Sequence, residues 1–155
     1  MSTDPLQFMM GNFTARIPQN LFYCRNHLWL SRADDSSVYR VGLTAYSVRL
    51  LQDVYFLEWS IDPDSNVREK QEIGQIESSK ALSSLYPPGP GRLIKFNDQL
   101  LDDPSAINTD NYGAGWLYEF DAEENWMNAE QYRDHLAENW DRTQQMIKGQ
   151  VNEDS

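Results

Sequence analysis

The residue best suited to chemistry in this chain is a lysine set among small side chains. Lys80 lies in Glu77–Ala81, which reads Glu-Ser-Ser-Lys-Ala, with apolar segments at Glu72–Ile76 and Leu82–Tyr86. Short polar residues between two runs of strand formers predict the tip of a β-hairpin. Such a tip displays an amine that is nucleophilic when deprotonated, which suits covalent modification. The alternative is a solvated lysine on a polar turn, and the spacing alone favours that alternative.

Other short motifs surround this lysine in a definite order. They are Val41-Gly42-Leu43-Thr44-x-Tyr46, Asp53–Glu58, Gly74, the Leu85-Tyr86 pair with its Pro/Gly turn, Gly91, and Asn108–Leu117. Several motifs in sequence are far more specific than one lysine. On these residues, from roughly Leu21 to Leu136, the chain resembles the H protein of the glycine cleavage system.

The resemblance implies a lipoyl carrier rather than an enzyme. Lipoate would be amide-linked to Lys80 as a swinging arm, with Glu77, Ser78, Ser79 and Ala81 as its motif context. A tethered group of this kind has a high effective concentration at each partner. The implied partners are a lipoate ligase or a lipoyl/octanoyl transferase, glycine decarboxylase, aminomethyltransferase and dihydrolipoyl dehydrogenase.

Some positions depart from the family pattern. His27 matches the histidine of a His-Glu-Trp motif, but Leu28 replaces the glutamate while Trp29 is kept. Ala45 stands where an acid is usual, and Gln52 where a glycine is usual. These changes bear on the set of partners more than on the lysine. They leave open the alternative that the chain is an H-like lipoate-binding protein, which carries sulfur intermediates for heterodisulfide-reductase-like subunits.

A second class of function is a docking or regulatory module in which Lys80 stays unmodified. A self-contained enzyme has little support, because no phosphate loop, dinucleotide fingerprint or nucleophile-base set is present. Cys24 and His27 supply only two metal ligands, and His135 is distant in sequence, so no metal site is expected. Cys24 is expected to be a small buried side chain, and His27 a buried, hydrogen-bonded one.

The amino-acid composition limits the classes of partner and the cellular compartment that we expect for this protein. The 155 residues carry a formal net charge of -11, which would repel the phosphates of nucleic acid. One cysteine leaves no internal disulfide, and no apolar run reaches the ~20 residues of a membrane helix. We therefore expect a cytoplasmic bacterial protein with no membrane association, and a monomer because a carrier must be mobile.

The predicted fold class is mainly β. Many short strands between Gly, Pro and Asp turns indicate a lipoyl-domain-like hybrid β-sandwich or flattened barrel of two antiparallel sheets. Thr44 is expected to cap a short helix that ends at Leu51. Asn128 with Gln131 predicts a capping box, which opens a helix with an apolar stripe. The stripe residues are Tyr132, Leu136, Trp140 and Ile147.

Three segments are expected along the chain. Residues 1–16 show no clear period and predict a flexible N-terminal extension. Residues 17–127 form the lipoyl-carrier β domain, and residues 128–148 form a C-terminal helix that packs on it. Within the domain, Asn108–Trp116 is interpreted chiefly as structure, with Gly113 and Gly115 permitting positive φ at a turn. A weaker interpretation has this loop line a cleft that shelters the loaded arm.

Overall fold

The structure is a computed structural model that describes residues 3–34, 36–123 and 125–153. In the last helix, side chains are described as far as Trp140 and at Arg142. Ile147, the last member of the predicted apolar stripe, lies outside these described side chains. No helix in the described ranges combines the length and the apolar character that crossing a membrane requires.

Strands dominate the chain, and short helices interrupt them. The strands are β1 (Leu6–Met10), β2 (Phe13–Ile17), β3 (Phe22–Tyr23), β4 (Leu28–Arg32), β5 (Val38–Leu43), β6 (Val54–Trp59), β7 (Ser65–Val67), β8 (Gly74–Ser78), β9 (Leu82–Leu85), β10 (Gly91–Phe96) and β11 (Tyr118–Asp121). The helices are α1 (Ala45–Leu51), α2 (Gln99–Asp102), α3 (Ser105–Thr109) and α4 (Ala129–Glu153).

Two antiparallel sheets form the body of the protein, as the sequence predicts. One is six-stranded in the order β3-β4-β5-β11-β10-β7, and the other is three-stranded in the order β6-β8-β9. Among the described residues, the edge strands of one sheet do not pair with those of the other. The prediction of a mainly β fold with two antiparallel sheets is therefore confirmed, and the described strands do not close into a barrel.

Alternating side chains of both sheets meet in one core. Leu30, Val41 and Phe120 are fully buried on the six-stranded sheet, and Leu57 and Ile76 face them from the three-stranded sheet. Because side chains alternate along a strand, the residues between these core positions point outward. The smaller sheet also carries Lys80, in the turn between β8 and β9.

Both predicted helix starts are present. The Thr44 hydroxyl accepts a hydrogen bond from the Ser47 amide at 3.3 Å and caps α1. Before α4, the Gln131 amide donates to the Asn128 side chain at 2.8 Å, and the Asn128 amide donates to the Gln131 side chain at 2.9 Å. This reciprocal pair is a capping box. Helix α4 then buries Tyr132 and Leu136.

The N-terminal segment is structured, contrary to the expected flexible extension. Strands β1 and β2 pair as a hairpin whose Met10, Ala15 and Ile17 are buried in a second cluster against α1 and α4. The Phe8 ring lies 5.9 Å from Trp140 between centroids. Sequence reasoning misses the hairpin because each strand is only five residues long and its apolar face is completed by distant elements. The three-segment division of the chain otherwise stays a prediction.

We expect Phe8→Ala to lower the free energy of unfolding by about 2 kcal/mol, because it removes a half-buried ring from the second cluster. Thermal or urea unfolding measures the change. Gln7→Ala is the matched control, since Gln7 is the exposed neighbour on the same strand. Equal stability of the two variants would contradict packing of the hairpin on α4.

Candidate functional site

Lys80 occupies the tip of the β8–β9 hairpin, as the sequence predicts. Glu77 pairs with Leu82, and the Ser78 amide donates to the Ala81 carbonyl at 2.9 Å. Ser79 and Lys80 are therefore the two central residues of a four-residue turn. Both are exposed.

The turn is held by a buried side chain. Ser78 is 5% exposed, and its hydroxyl lies 3.3 Å from the backbone amides of both Lys80 and Ala81, which donate to it. The Ser79 amide donates to the Asp53 carbonyl at 3.2 Å, which joins the tip to the start of β6. Backbone groups on each side of the lysine are thus fixed, while its own side chain extends from the sheet.

The exposed amine suits a covalent extension. Ser79, Lys80 and Ala81 are all exposed, and the residues beside the lysine are small. An acyl group on the lysine nitrogen would find no bulky neighbour within the turn. These residues fit the attachment of lipoate, whose carboxyl group can form an amide with a lysine.

Glu77 is held by a neighbouring strand. The Tyr55 hydroxyl donates to the Glu77 carboxylate at 3.1 Å, and this hydrogen bond is the main cause of a raised Tyr55 pKa. Tyr55 lies at an irregularity in the pairing of β6 with β8. This contact has no signal in the sequence, because a bulge cannot be located from residue types alone.

The loop Asn108–Trp116 supports the same sheet. The Asn108 side chain accepts from the Val54 amide at 2.8 Å and donates to the Val54 carbonyl at 2.9 Å. Gly113 and Gly115 have a structural role, but positive φ is not its cause. A Cβ on Gly115 would lie 2.5 Å from the Ala106 carbonyl, so close packing excludes a side chain there.

Two depressions lie near the sheets. A cavity of about 390 Å³ includes Asn108, Asn111 and Asp53 in its lining, so the Asn108–Trp116 loop does border a cleft. Asp53, whose carbonyl accepts from the Ser79 amide, links this lining to the lysine turn. That this cleft shelters a loaded arm stays a prediction. A larger cavity of about 680 Å³ lies against Cys24 and Tyr86. Sequence reasoning misses this larger cavity, because segments sixty residues apart form it.

Cys24 and His27 are parts of the packing. Burial raises the pKa of the Cys24 thiol to about 12, so the reactive thiolate is scarce near neutral pH. His27 Nδ1 lies 3.0 Å from the Tyr132 hydroxyl, which is also 2.9 Å from the Thr44 hydroxyl. In the described part of the chain, no three His, Cys, Asp or Glu side chains form a candidate metal-binding group.

The fold and the turn define a class of protein: a β-sandwich domain that presents a lysine at a hairpin tip. Comparison with known proteins gives the family. The model of the family described as "Glycine cleavage H-protein" matches residues 21–146. The chain belongs to the glycine cleavage H-protein family.

Individual relatives agree with this membership. A glycine cleavage system H protein of Myxococcus xanthus is 45% identical over 105 residues, covering 68% of this chain and 79% of that protein. One of Mycolicibacterium vanbaalenii is 37% identical over 132 residues, covering 80% and 99%. The crystal structure of a glycine cleavage system H protein from Mycobacterium marinum has a TM-score of 0.67 at 31% identity, covering 79% of this chain and 98% of that one.

Family membership defines the general role. Proteins of this family are non-catalytic carriers, and their cofactor is lipoate attached covalently to a lysine. The chain therefore has a lipoyl carrier role. Which lysine of this chain takes the cofactor, and which enzymes use it, are separate questions.

We expect His27 to make the protein sensitive to acid. Burial, with a smaller contribution from His135, lowers the His27 pKa from 6.5 to about 4. Because the unfolded chain binds the proton more tightly, stability is full above pH 6.5 and is lost as the pH falls towards 4, by up to about 3 kcal/mol. Urea unfolding from pH 7 to pH 4 measures this slope.

The variant His27→Asn is expected to flatten that slope, and Asn tolerates the positive φ of 67° at this position. His135→Gln is the companion variant, which should raise the His27 pKa and keep most of the slope. An unchanged slope in His27→Asn would assign the acid sensitivity to other groups.

We expect Ser78→Ala to loosen the lysine turn. It removes the acceptor shared by two backbone amides and should cost about 1 kcal/mol of stability. Amide hydrogen exchange at Lys80 and Ala81 should become faster. Ser79→Ala changes an exposed hydroxyl in the same turn and serves as the control. Equal protection in both variants would contradict the assigned role of Ser78.

Proposed function

We propose that Lys80 is the lipoyl attachment site and that the chain carries intermediates between the enzymes of glycine cleavage. The single observation that supports this proposal is the position of Lys80: it is exposed at the tip of a turn whose backbone is fixed on both sides. Membership in the H-protein family supplies the cofactor. The two together favour Lys80 over lysines elsewhere on the surface.

The residues of the turn have distinct tasks in this proposal. Ser78 fixes the direction in which the turn leaves the sheet, while Ser79 and Ala81 leave space for an acylating enzyme. Glu77 offers a carboxylate beside the attachment point. When attached, lipoate supplies a dithiolane that can be reduced and can bear a group in transit. The protein itself provides a fixed base for the arm and no catalytic group.

The partner enzymes are expected from the family. They are a lipoate ligase or a lipoyl/octanoyl transferase for loading, and glycine decarboxylase, aminomethyltransferase and dihydrolipoyl dehydrogenase for the cycle. The sulfur-carrying alternative with heterodisulfide-reductase-like subunits has no support, because the relatives described above are glycine cleavage H proteins. A cytoplasmic location and a monomeric state stay predictions.

We expect native protein to carry one lipoyl group on Lys80. Peptide mass spectrometry of protein from its own cell, or made with lipoate and a lipoate ligase, locates the addition. Lys80→Arg keeps the positive charge but cannot form the amide, so both loading and glycine-dependent carbon dioxide release should be abolished.

Lys95→Arg is the matched control and should load normally, since Lys95 is on β10 in the other sheet and pairs with Glu119. An unextended mass at Lys80 while the pathway is running would refute the proposed attachment site. It would favour the unmodified docking module instead.

A further inference from the structure

The outer face of the three-stranded sheet has an exposed apolar row beside Lys80. Phe56 pairs with Glu77, which pairs in turn with Leu82, so the three side chains cross the sheet in one line. Phe56 is 46% exposed and Leu82 is 64% exposed. Tyr55, 57% exposed, reaches the same carboxylate through its hydroxyl. Large apolar side chains clustered around one held charge are typical of an interface rather than of a free surface.

The charge on this face has one sign. A second row, Glu58–Gln75–Ser84, lies next to the first, and the Ser84 hydroxyl donates to Glu72. The strands β6, β8 and β9 contain no lysine or arginine. Lys80 supplies a positive charge in the turn that joins β8 to β9, and its acylation would remove that charge. The loaded face therefore has Glu77 between the apolar side chains of Phe56 and Leu82, with further acids beside this row.

We propose that this face, which we call the docking face and define by Tyr55, Phe56, Glu77 and Leu82, binds a basic surface of a partner enzyme. An arginine or lysine of the partner pairs with Glu77, and apolar side chains of the partner contact Phe56 and Leu82. The role as a carrier face rests on the proposed function of Lys80, whereas the binding itself does not require lipoate.

Charge selects this occupant over the alternatives. A second copy of the chain would bring Glu58, Glu72 and Glu77 against the same three acids, which is unfavourable. Nucleic acids and anionic lipid surfaces would be repelled for the same reason. A basic protein face both removes the repulsion and speeds the encounter at low salt. The face also adjoins the lysine turn, so its occupant meets the arm directly.

Tyr55 is a positioning residue within the docking face. Its hydroxyl holds one oxygen of Glu77, and the other oxygen stays available to a partner cation. Holding the carboxylate in one orientation reduces the entropy lost when a partner binds. Tyr55→Phe removes only this hydrogen bond and keeps the ring.

Direct binding to the glycine decarboxylase and to the aminomethyltransferase of the same cell tests the proposal. Calorimetric titration uses the full chain, in lipoylated form and as Lys80→Gln, which mimics the neutral acylated lysine. Phe56→Ser with Leu82→Ser should weaken binding to at least one of the two enzymes about tenfold or more in both forms. Leu101→Ser is the matched control, since Leu101 is a comparably exposed leucine on α2, and it should bind as the native protein does.

Salt dependence tests the charge pairing. Glu77→Gln should weaken binding several-fold and reduce its dependence on ionic strength, and Tyr55→Phe should weaken it less. Asp98→Asn removes an exposed acid outside the docking face and is the control for net charge. Unchanged affinity of the Phe56 and Leu82 variant for both enzymes would overturn the inference, as would self-association of the chain through this face.

The two proposals fail in different ways. If Lys80 proves to be unmodified while the docking-face variants still weaken binding, the attachment site is wrong and the docking face stands. If Lys80 is lipoylated while these variants bind both enzymes normally, the attachment site stands and the docking face is wrong. Peptide mass measurement and titration report on the two separately.

Discussion

Pairing of β6, β8 and β9 is the constraint on which the site depends. The backbone hydrogen bonds of this sheet bring Ser78 and Ala81 to the end of a strand pair, so a tight turn must follow there. The buried Ser78 hydroxyl then accepts from the amides of both Lys80 and Ala81 and holds the turn in one conformation. A long arm attached to a mobile loop would add the motion of the loop to its own. A fixed base confines that motion to the arm, which is what raises its effective concentration at a partner.

The local features of this region could be predicted from sequence because short-range chemistry determines them. Small polar residues between strand formers predicted the hairpin. The Thr44 hydroxyl predicted the start of α1, and Asn128 with Gln131 predicted the start of α4. Each depends on residues within a few positions of one another. The family resemblance added the expectation that Lys80 takes lipoate, which periodicity could not supply.

The features that sequence reasoning missed depend on distant parts of the chain. The N-terminal hairpin precedes the residues that the family model matches, and its apolar face is completed by Tyr46 and Trp140. The Tyr112 hydroxyl donates to the carbonyl of Arg16 in β2 at 2.6 Å, although the two residues are nearly a hundred positions apart in the sequence. The hydrogen bond from Tyr55 to Glu77 likewise depends on the register in which β6 pairs with β8. Register is a property of the assembled sheet.

The departure at Leu28 has a physical explanation in this fold. Leu28 is 3% exposed and belongs to the core between the sheets, whereas the family pattern has a glutamate there. A carboxylate at this depth would lose its hydration without a charged partner, which is costly. Leucine avoids that cost, and its backbone carbonyl still accepts from the Cys24 amide at 3.2 Å, so the turn between β3 and β4 is preserved. The position is therefore structural in this chain.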